Sequence, residues 1–335
     1  MDGRLATDRQ GGQDEKRAQP YGDTPSPRVF GTVSSLDPQL FATVEECAEA
    51  LVNAKAPAKY TPLDVAEWLE DLSTSASENQ AQALAHRTDK NSPALRRLMA
   101  DVAIQAGTGK FFAYKFRSAV LWSLYKRSGD RTALTEALKA YRTARDTWAA
   151  MAEQARTVYA SDITYGMNAP MHGHWSDRLP DIDADIADME RQLTASAVTP
   201  TGSIDPAVIR HAIRTVLTRP QRLSVSAQHT PVQRFEPGKP VDVAFSLAHN
   251  DGRKINLMYR RADQSQTWQS ADMTWQDGAY SATIPADYTK SAFPLLYYFE
   301  VHEASGSAMY PGFNKDLSNQ PYYLVRSTRR NAGSA

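Results

Sequence analysis

Apolar residues recur at three- and four-residue steps from Leu36 to about Leu193, and at two-residue steps from about Arg222 to Ser327. The change of period divides the chain into a helical part and a strand part. Thr43 followed by Glu46 predicts a capping box before an Ala-rich helix. Thr61 with Pro62 and Ser92 with Pro93 each set a hydroxyl acceptor at the N-cap and a proline at the first helical position, where no amide hydrogen is needed. In the first of these helices Leu63, Ala66, Leu69 and Leu72 form one stripe, with Trp68 beside it.

The segment KFFAYKFRSAVLWSLYKRSGD from Lys110 is apolar around its circumference and predicts a central helix ended by Gly129. The next stretch places Leu134, Leu138, Tyr141, Ala144 and Trp148 at helical spacing, so the two segments predict a helical hairpin. The hairpin resembles a tetratricopeptide-type helix pair, without a second copy at the ~34-residue period of a solenoid. TGK at Thr108 to Lys110 lacks the spaced upstream glycine of a phosphate loop and reads as a connection between helices. Asp205 and Pro206 start a further helix that Pro220 stops.

Beyond it RLSVSA, VDVAFSL, KINLMYRR, AYSATIP, LLYYFEVHE and PYYLVRS alternate or are rich in β-branched and aromatic residues, and HNDGR and WQDGAY are candidate hairpin turns. The predicted fold is multidomain, α plus all-β: a helical hairpin or bundle domain, then an antiparallel β-sandwich of immunoglobulin or fibronectin type III kind. The expected boundaries are a disordered leader over 1–30, the helical domain over 31–198, a linker and helix over 199–220, the sandwich over 221–327 and a disordered tail over 328–335.

A length of 335 residues with 41% hydrophobic content is enough for two cores. The 38 basic and 38 acidic residues cancel, so no global field draws nucleic acid or an anionic membrane, and neither is an expected partner. The single cysteine, Cys47, excludes an intramolecular disulfide and any multi-cysteine metal site. The opening residues lack the apolar core of a signal peptide, and the chain is expected to be soluble. GxSxG, GxxxxGK[ST] and HExxH are absent, and no cofactor is expected.

The densest chemistry lies in MHGHWSDRLPDIDADIADME, Met171 to Glu190. His172, His174 and Asp177 offer three ligands to a zinc-like ion, although no fourth ligand is evident. The same groups with Asp181 are the candidate catalytic residues for a standalone sugar-acting hydrolase or lyase that would use the His172–Asp185 region. Tyr165, Trp175 and Arg178 are the candidate saccharide contacts, since flat rings suit the apolar face of a sugar. The alternative is structural: histidines that cap the loop, and an amphipathic helix with Ile182, Ile186, Met189 and Leu193 on one face and Asp181, Asp185 and Asp188 on a solvated one. Trp268, Trp275, Tyr297, Tyr298, Tyr310, Tyr322 and Tyr323 enrich the strand part in aromatics expected to pack its core.

The stretch from Phe116 to Gly166 with GHWSDRLPDIDADIADME resembles the helical segment that follows the catalytic part of some large bacterial polysaccharide-acting, glycoside hydrolase-like enzymes. INLMYRRADQSQTWQSADMTWQDGAYSATIPADY with LLYYFEVHEASGSAMYPGF and NQPYYLVRS is similar to the fibronectin-like sandwich that closes such chains. The resemblance implies a non-catalytic accessory region that stabilises or positions a catalytic part, a partner domain or chain, and contacts a polysaccharide or oligosaccharide. It transfers no active-site residue, because the catalytic barrel is not in this sequence. A protein-interaction scaffold is the remaining alternative, and it requires an exposed apolar groove among Trp68, Trp122 and Trp148.

Overall fold

The computed structural model describes residues 37–86, 92–164, 172–195, 204–247, 252–263 and 265–328. The protein is mixed α plus β and divides into two compact units. The first runs to Ala54 and again from Tyr60 to Pro220; the second is Lys55–Lys59 with the residues from Gln221 on.

Among the described residues the first unit is built of α1 (Val44–Val52), α2 (Pro62–Ala85), α3 (Pro93–Ser128), α4 (Arg131–Arg156), α5 (Leu179–Thr194) and α6 (Pro206–Leu217). The capping chemistry sets several of their starts. Thr43 accepts from the Glu46 amide while the Glu46 carboxylate accepts from the Thr43 amide, and Thr61 with Asp64 repeats the exchange ahead of Pro62. Asp205 accepts from the Ala207 amide ahead of α6. Gly129, left-handed at φ 70°, closes α3.

The expected connection at Thr108 to Lys110 is absent, and α3 is one continuous helix of 36 residues. Its glycines serve close approach. A Cβ on Gly107 would lie 2.6 Å from Met151 Cβ, and one on Gly109 would lie 2.4 Å from Ser73 Oγ. The Gly107–Met151 approach, with Ser118 Oγ donating to the Ala137 carbonyl at 2.7 Å, runs α3 and α4 antiparallel as a hairpin, while the Gly109–Ser73 approach brings α2 against α3. Phe111, Leu121, Leu124, Leu134 and Tyr141 are fully buried in the core they share.

In the second unit β1 (Ala227–Gln228), β3 (Val241–Leu247), β7 (Ala279–Ile284) and β6 (Thr274–Gln276) form one sheet in the order β1-β3-β7-β6. The other has the order β2-β10-β8-β4-β5, with β9 also paired to β8: β2 (Arg234–Phe235), β10 (Tyr323–Ser327), β8 (Leu295–Glu303), β4 (Lys254–Arg261), β5 (Gln269–Asp272) and β9 (Gly306–Tyr310). Pairing is antiparallel except between β2 and β10. A one-turn helix, α7 (Ala286–Thr289), follows β7. Alternate residues of β3 and β8, among them Val243, Phe245, Tyr297 and Phe299, enter a single apolar cluster, with Phe245 and Phe299 ring centroids 4.3 Å apart. Of the RLSVSA segment only Ala227 pairs as strand. The WQDGAY turn joins β6 to β7 with Asp277 at φ 51° and Gly278 at φ 86°, the double positive φ of a type I′ hairpin. The HNDGR turn falls largely outside the described residues.

Lys55–Lys59 contribute backbone to the strand unit: the Ala56 amide donates to Ser305, and the Ala56 carbonyl accepts from Ser307. Gly306 lies between them at φ 145°, where a Cβ would come 2.3 Å from the Ala56 carbonyl oxygen. The side chain of Arg222 donates to the carbonyls of Ala58 and Lys59.

Candidate functional site

The histidine-rich stretch folds as a cap. His174 stands at the start of a single 3-10 turn, Trp175–Arg178. Its Nδ1 accepts from the Ser176 amide at 3.2 Å, while Asp177 Oδ2 accepts from the His174 amide at 2.7 Å. Accepting at Nδ1 puts the proton of the neutral ring on Nε2, which is buried and has no hydrogen-bond partner among the described residues. Burial lowers the affinity of His174 for a second proton. Gly173 precedes it at φ 105°, and a Cβ there would meet Asp177 Oδ2 at 2.6 Å, so the turn requires glycine.

Trp175 fastens this turn to the helices. Its carbonyl accepts from the Trp148 indole at 2.7 Å, its ring lies edge-on to Tyr159, and both pack against Ile104, Met151 and Ala155. His172 is exposed and belongs to the entering strand of chain, 3.2 Å from Thr164 Oγ1 and 3.8 Å from an Asp162 oxygen. Thus His174 and Asp177 are brought together, by a backbone cap, while His172 faces other partners and Asp181 is exposed on the first turn of α5. Arg178 is half-buried at the end of the 3-10 turn. Tyr165 lies outside the described residues. Among those described, no three His, Cys, Asp or Glu side chains are grouped to hold a metal ion.

The apolar face expected of α5 is present, with Ile182, Ile186 and Met189 buried. Its acidic face is less solvated than the helical wheel implies. Asp185 accepts from Tyr141 at 3.1 Å, Asp183 takes a two-point bond from Arg145 at 2.8 and 3.2 Å, and Asp188 is half-buried. Tyr and Arg from α4 reach past the apolar seam to the carboxylates beside it. The three tryptophans of the scaffold reading are similarly occupied: Trp122 is 5% exposed, Trp68 packs edge-on to Phe41, and Trp148 is edge-on to Phe111.

Helix packing produces a site that the motifs do not announce. A cleft of about 500 Å³ opens among α2, α3, α4 and the end of α6. Helix α2 contributes Glu67, Glu70 and Asp71, and α3 contributes Tyr114 and Arg117. From α4 come Glu136, Lys139, Ala140 and Thr143, a stripe at helical spacing. Arg117 is 7% exposed and forms a fork on Glu70, with both bonds 2.9 Å, while Nη1 donates to the carbonyls of Val216 at 2.5 Å and Thr218 at 3.1 Å. It therefore ties the C-terminal end of α6 to α2. Arg219 bonds both Glu67 and Asp71, which lifts its pKa, chiefly through the Glu67 hydrogen bond. The α2 carboxylates at 67, 70 and 71 share a helix face in sequence, but Arg219 reaches Glu67 across 152 residues of chain, a closure that only folding displays.

In the strand unit the aromatics divide between core and surface. Tyr297 and Tyr298 are buried, Trp268 packs edge-on to Tyr298, and the Arg260 guanidinium is 4.7 Å from the centre of the Trp268 ring. Trp275 is 40% exposed.

These features define a mixed α plus β protein with a capped histidine turn and a polar, ion-paired cleft in its helical unit. No protein-family model matches the chain, and no curated protein matches it. Among solved structures it is similar to a GH138 enzyme targeting pectin rhamnogalacturonan II, at 17% identity and a TM-score of 0.39. That likeness covers 45% of this chain and 23% of the other, so the chain spans under a quarter of that protein's length.

Proposed function

We propose that this chain is a non-catalytic accessory region of a carbohydrate-active enzyme, one that stabilises or positions a catalytic part and contacts glycan. The observation that carries the reading is the capping role of His174 and Asp177: His174 Nδ1 and one Asp177 oxygen accept from backbone amides, and the remaining ring nitrogen of His174 is buried rather than presented to a ligand. In this reading Trp175 anchors the turn through Trp148 and Tyr159 rather than presenting a free ring. We further read the two sheets as an immunoglobulin- or fibronectin-like sandwich, which the alternating burial of β3 and the Phe245–Phe299 contact support.

Affinity electrophoresis in polysaccharide-containing gels, paired with a reducing-end assay on the same samples, tests this. The panel includes pectin rhamnogalacturonan II, the target of the GH138 neighbour. The expected result is retardation by at least one polysaccharide with no new reducing ends, and Trp175→Ala lowers the unfolding midpoint without abolishing retardation. Turnover that His174→Ala or Asp177→Ala eliminates would overturn the reading.

A further inference from the structure

We propose that the cleft among α2, α3, α4 and the end of α6 binds a short neutral oligosaccharide. The inference rests on the accessory reading and adds to it a site and a ligand class. The volume of about 500 Å³ falls within the ~300–1,000 Å³ of small-ligand sites.

The charge arrangement selects the ligand. Three cations stand among four carboxylates, and the cations are already engaged: Arg117 on Glu70, Arg219 on Glu67 and Asp71, and Lys139 at 3.7 Å from Glu136. A uronate or sulfated sugar would have to displace a carboxylate from one of these pairs, and a cationic ligand would have to displace an arginine or lysine. At the buried Arg117–Glu70 pair either exchange costs desolvation and repays little, while the pairs of Arg219 and Lys139, cations 66% and 75% exposed, are weak and solvent-screened and attract a charged ligand only feebly. A hydroxyl group does neither. It donates to an unused carboxylate lone pair and accepts from an N–H at the edge of the same ion pair, so the paired walls serve as a dense hydrogen-bonding surface without a strong field.

The remaining lining suits a pyranose ring. Tyr114 provides a half-buried aromatic surface, Leu217 is 47% exposed, and Ala140 adds a small side chain that leaves room for a ring. Thr143 and Thr218 add hydroxyl oxygens as acceptors, their hydrogens being donated to the Lys139 and Thr215 carbonyls. Arg117 cannot swing away, because two carbonyls and Glu70 fix its guanidinium. The polar wall is thus organised before a ligand arrives, which lowers the entropic cost of binding.

The test is titration calorimetry of the full chain with neutral gluco-, galacto- and xylo-oligosaccharides, and with oligogalacturonate as the acidic comparison. At least one neutral sugar is expected to bind, with a Kd that changes less than about twofold between low and ~0.5 M salt, since charge pairing with the ligand is not the source of affinity. Tyr114→Ala weakens binding about tenfold or more. Because Tyr114 also packs on the core, Thr143→Trp is the second variant: it fills the cleft from an exposed position, and it abolishes binding while leaving the unfolding midpoint unchanged. Preferential binding of oligogalacturonate, binding undiminished in Thr143→Trp, or no binding of any neutral sugar would each overturn the proposal. None of these touches the accessory reading, which falls if the chain turns over a glycan or if no polysaccharide in the gel retards it.

Discussion

At the scale of single residues, the polar groups with the greatest effect on stability are those held by several partners. Arg117 satisfies a carboxylate and two helix-end carbonyls at once, so Arg117→Ala leaves Glu70 and the end of α6 without their cation. Urea unfolding of this variant is expected to show a loss of about 3–5 kcal/mol, with Arg117→Lys recovering only part, because an ammonium cannot reproduce the fork. In the strand unit His229 donates through Nδ1 to the Ala244 carbonyl at 2.7 Å. Its Nε2 accepts from the Tyr297 hydroxyl at 2.7 Å, which in turn accepts from the Val232 amide. Burial holds His229 below its ordinary value and pushes Tyr297 up to about 12. The unfolded state therefore takes up a proton first. The stability His229 contributes is complete above pH about 6.5 and is lost as pH falls through its lower folded value, and His174 acts in the same direction. Unfolding free energy measured across this range should fall on acidification, and His229→Gln should flatten the slope; an unchanged slope would exclude the network as its source.

At the scale of elements, the same residue type carries opposite signals in different settings. Gly129 ends α3, as its place after an apolar run and before a new helix suggests, whereas Gly107 and Gly109 lie within α3 where α4 and α2 come close. Local propensity alone would credit Gly107→Ala with a gain of about 1 kcal/mol. Contact with Met151 reverses the sign: the added methyl meets Met151 Cβ, and a loss of about 1–3 kcal/mol is expected. Met151→Gly in the same chain removes the colliding Cβ and should lessen the loss specific to Gly107→Ala, whereas Met151→Ala keeps that Cβ and should not; a double-mutant cycle measures the coupling. Helix starts at Thr43, Thr61 and Asp205 are legible in the sequence because their chemistry is complete within a few residues, β3 because its side chains alternate, and β4, β7, β8 and β10 because they are short runs alternating or rich in aliphatic and aromatic residues between turn signals. The unbroken course of α3 is not legible, since what permits two glycines there is contact with residues of other helices, far along the chain. The cleft is hidden for a similar reason: its halves are ordinary polar stripes on α2 and α4 until Arg219 closes one of them.

At the scale of the whole molecule, the chain crosses between its two units more often than its composition suggests. The shift of hydrophobic period near Arg222 marks one crossing, but Lys55–Lys59 leave the helical unit and pair with the Ser305–Ser307 backbone, a short polar segment with no strand-like pattern. Gly306→Ala should break that pairing, since its Cβ has no room beside Ala56. Hydrogen exchange is expected to show lost protection at the Ala56 and Ser307 amides with the α3–α4 core unchanged. In the function proposed above, the residues that resemble an active site hold the fold, and sugar is contacted without being cleaved. The most direct measurement is the size distribution of each candidate polysaccharide after prolonged incubation with the intact protein at high concentration. An unchanged distribution is predicted; shortening that disappears in His174→Ala would contradict the claim.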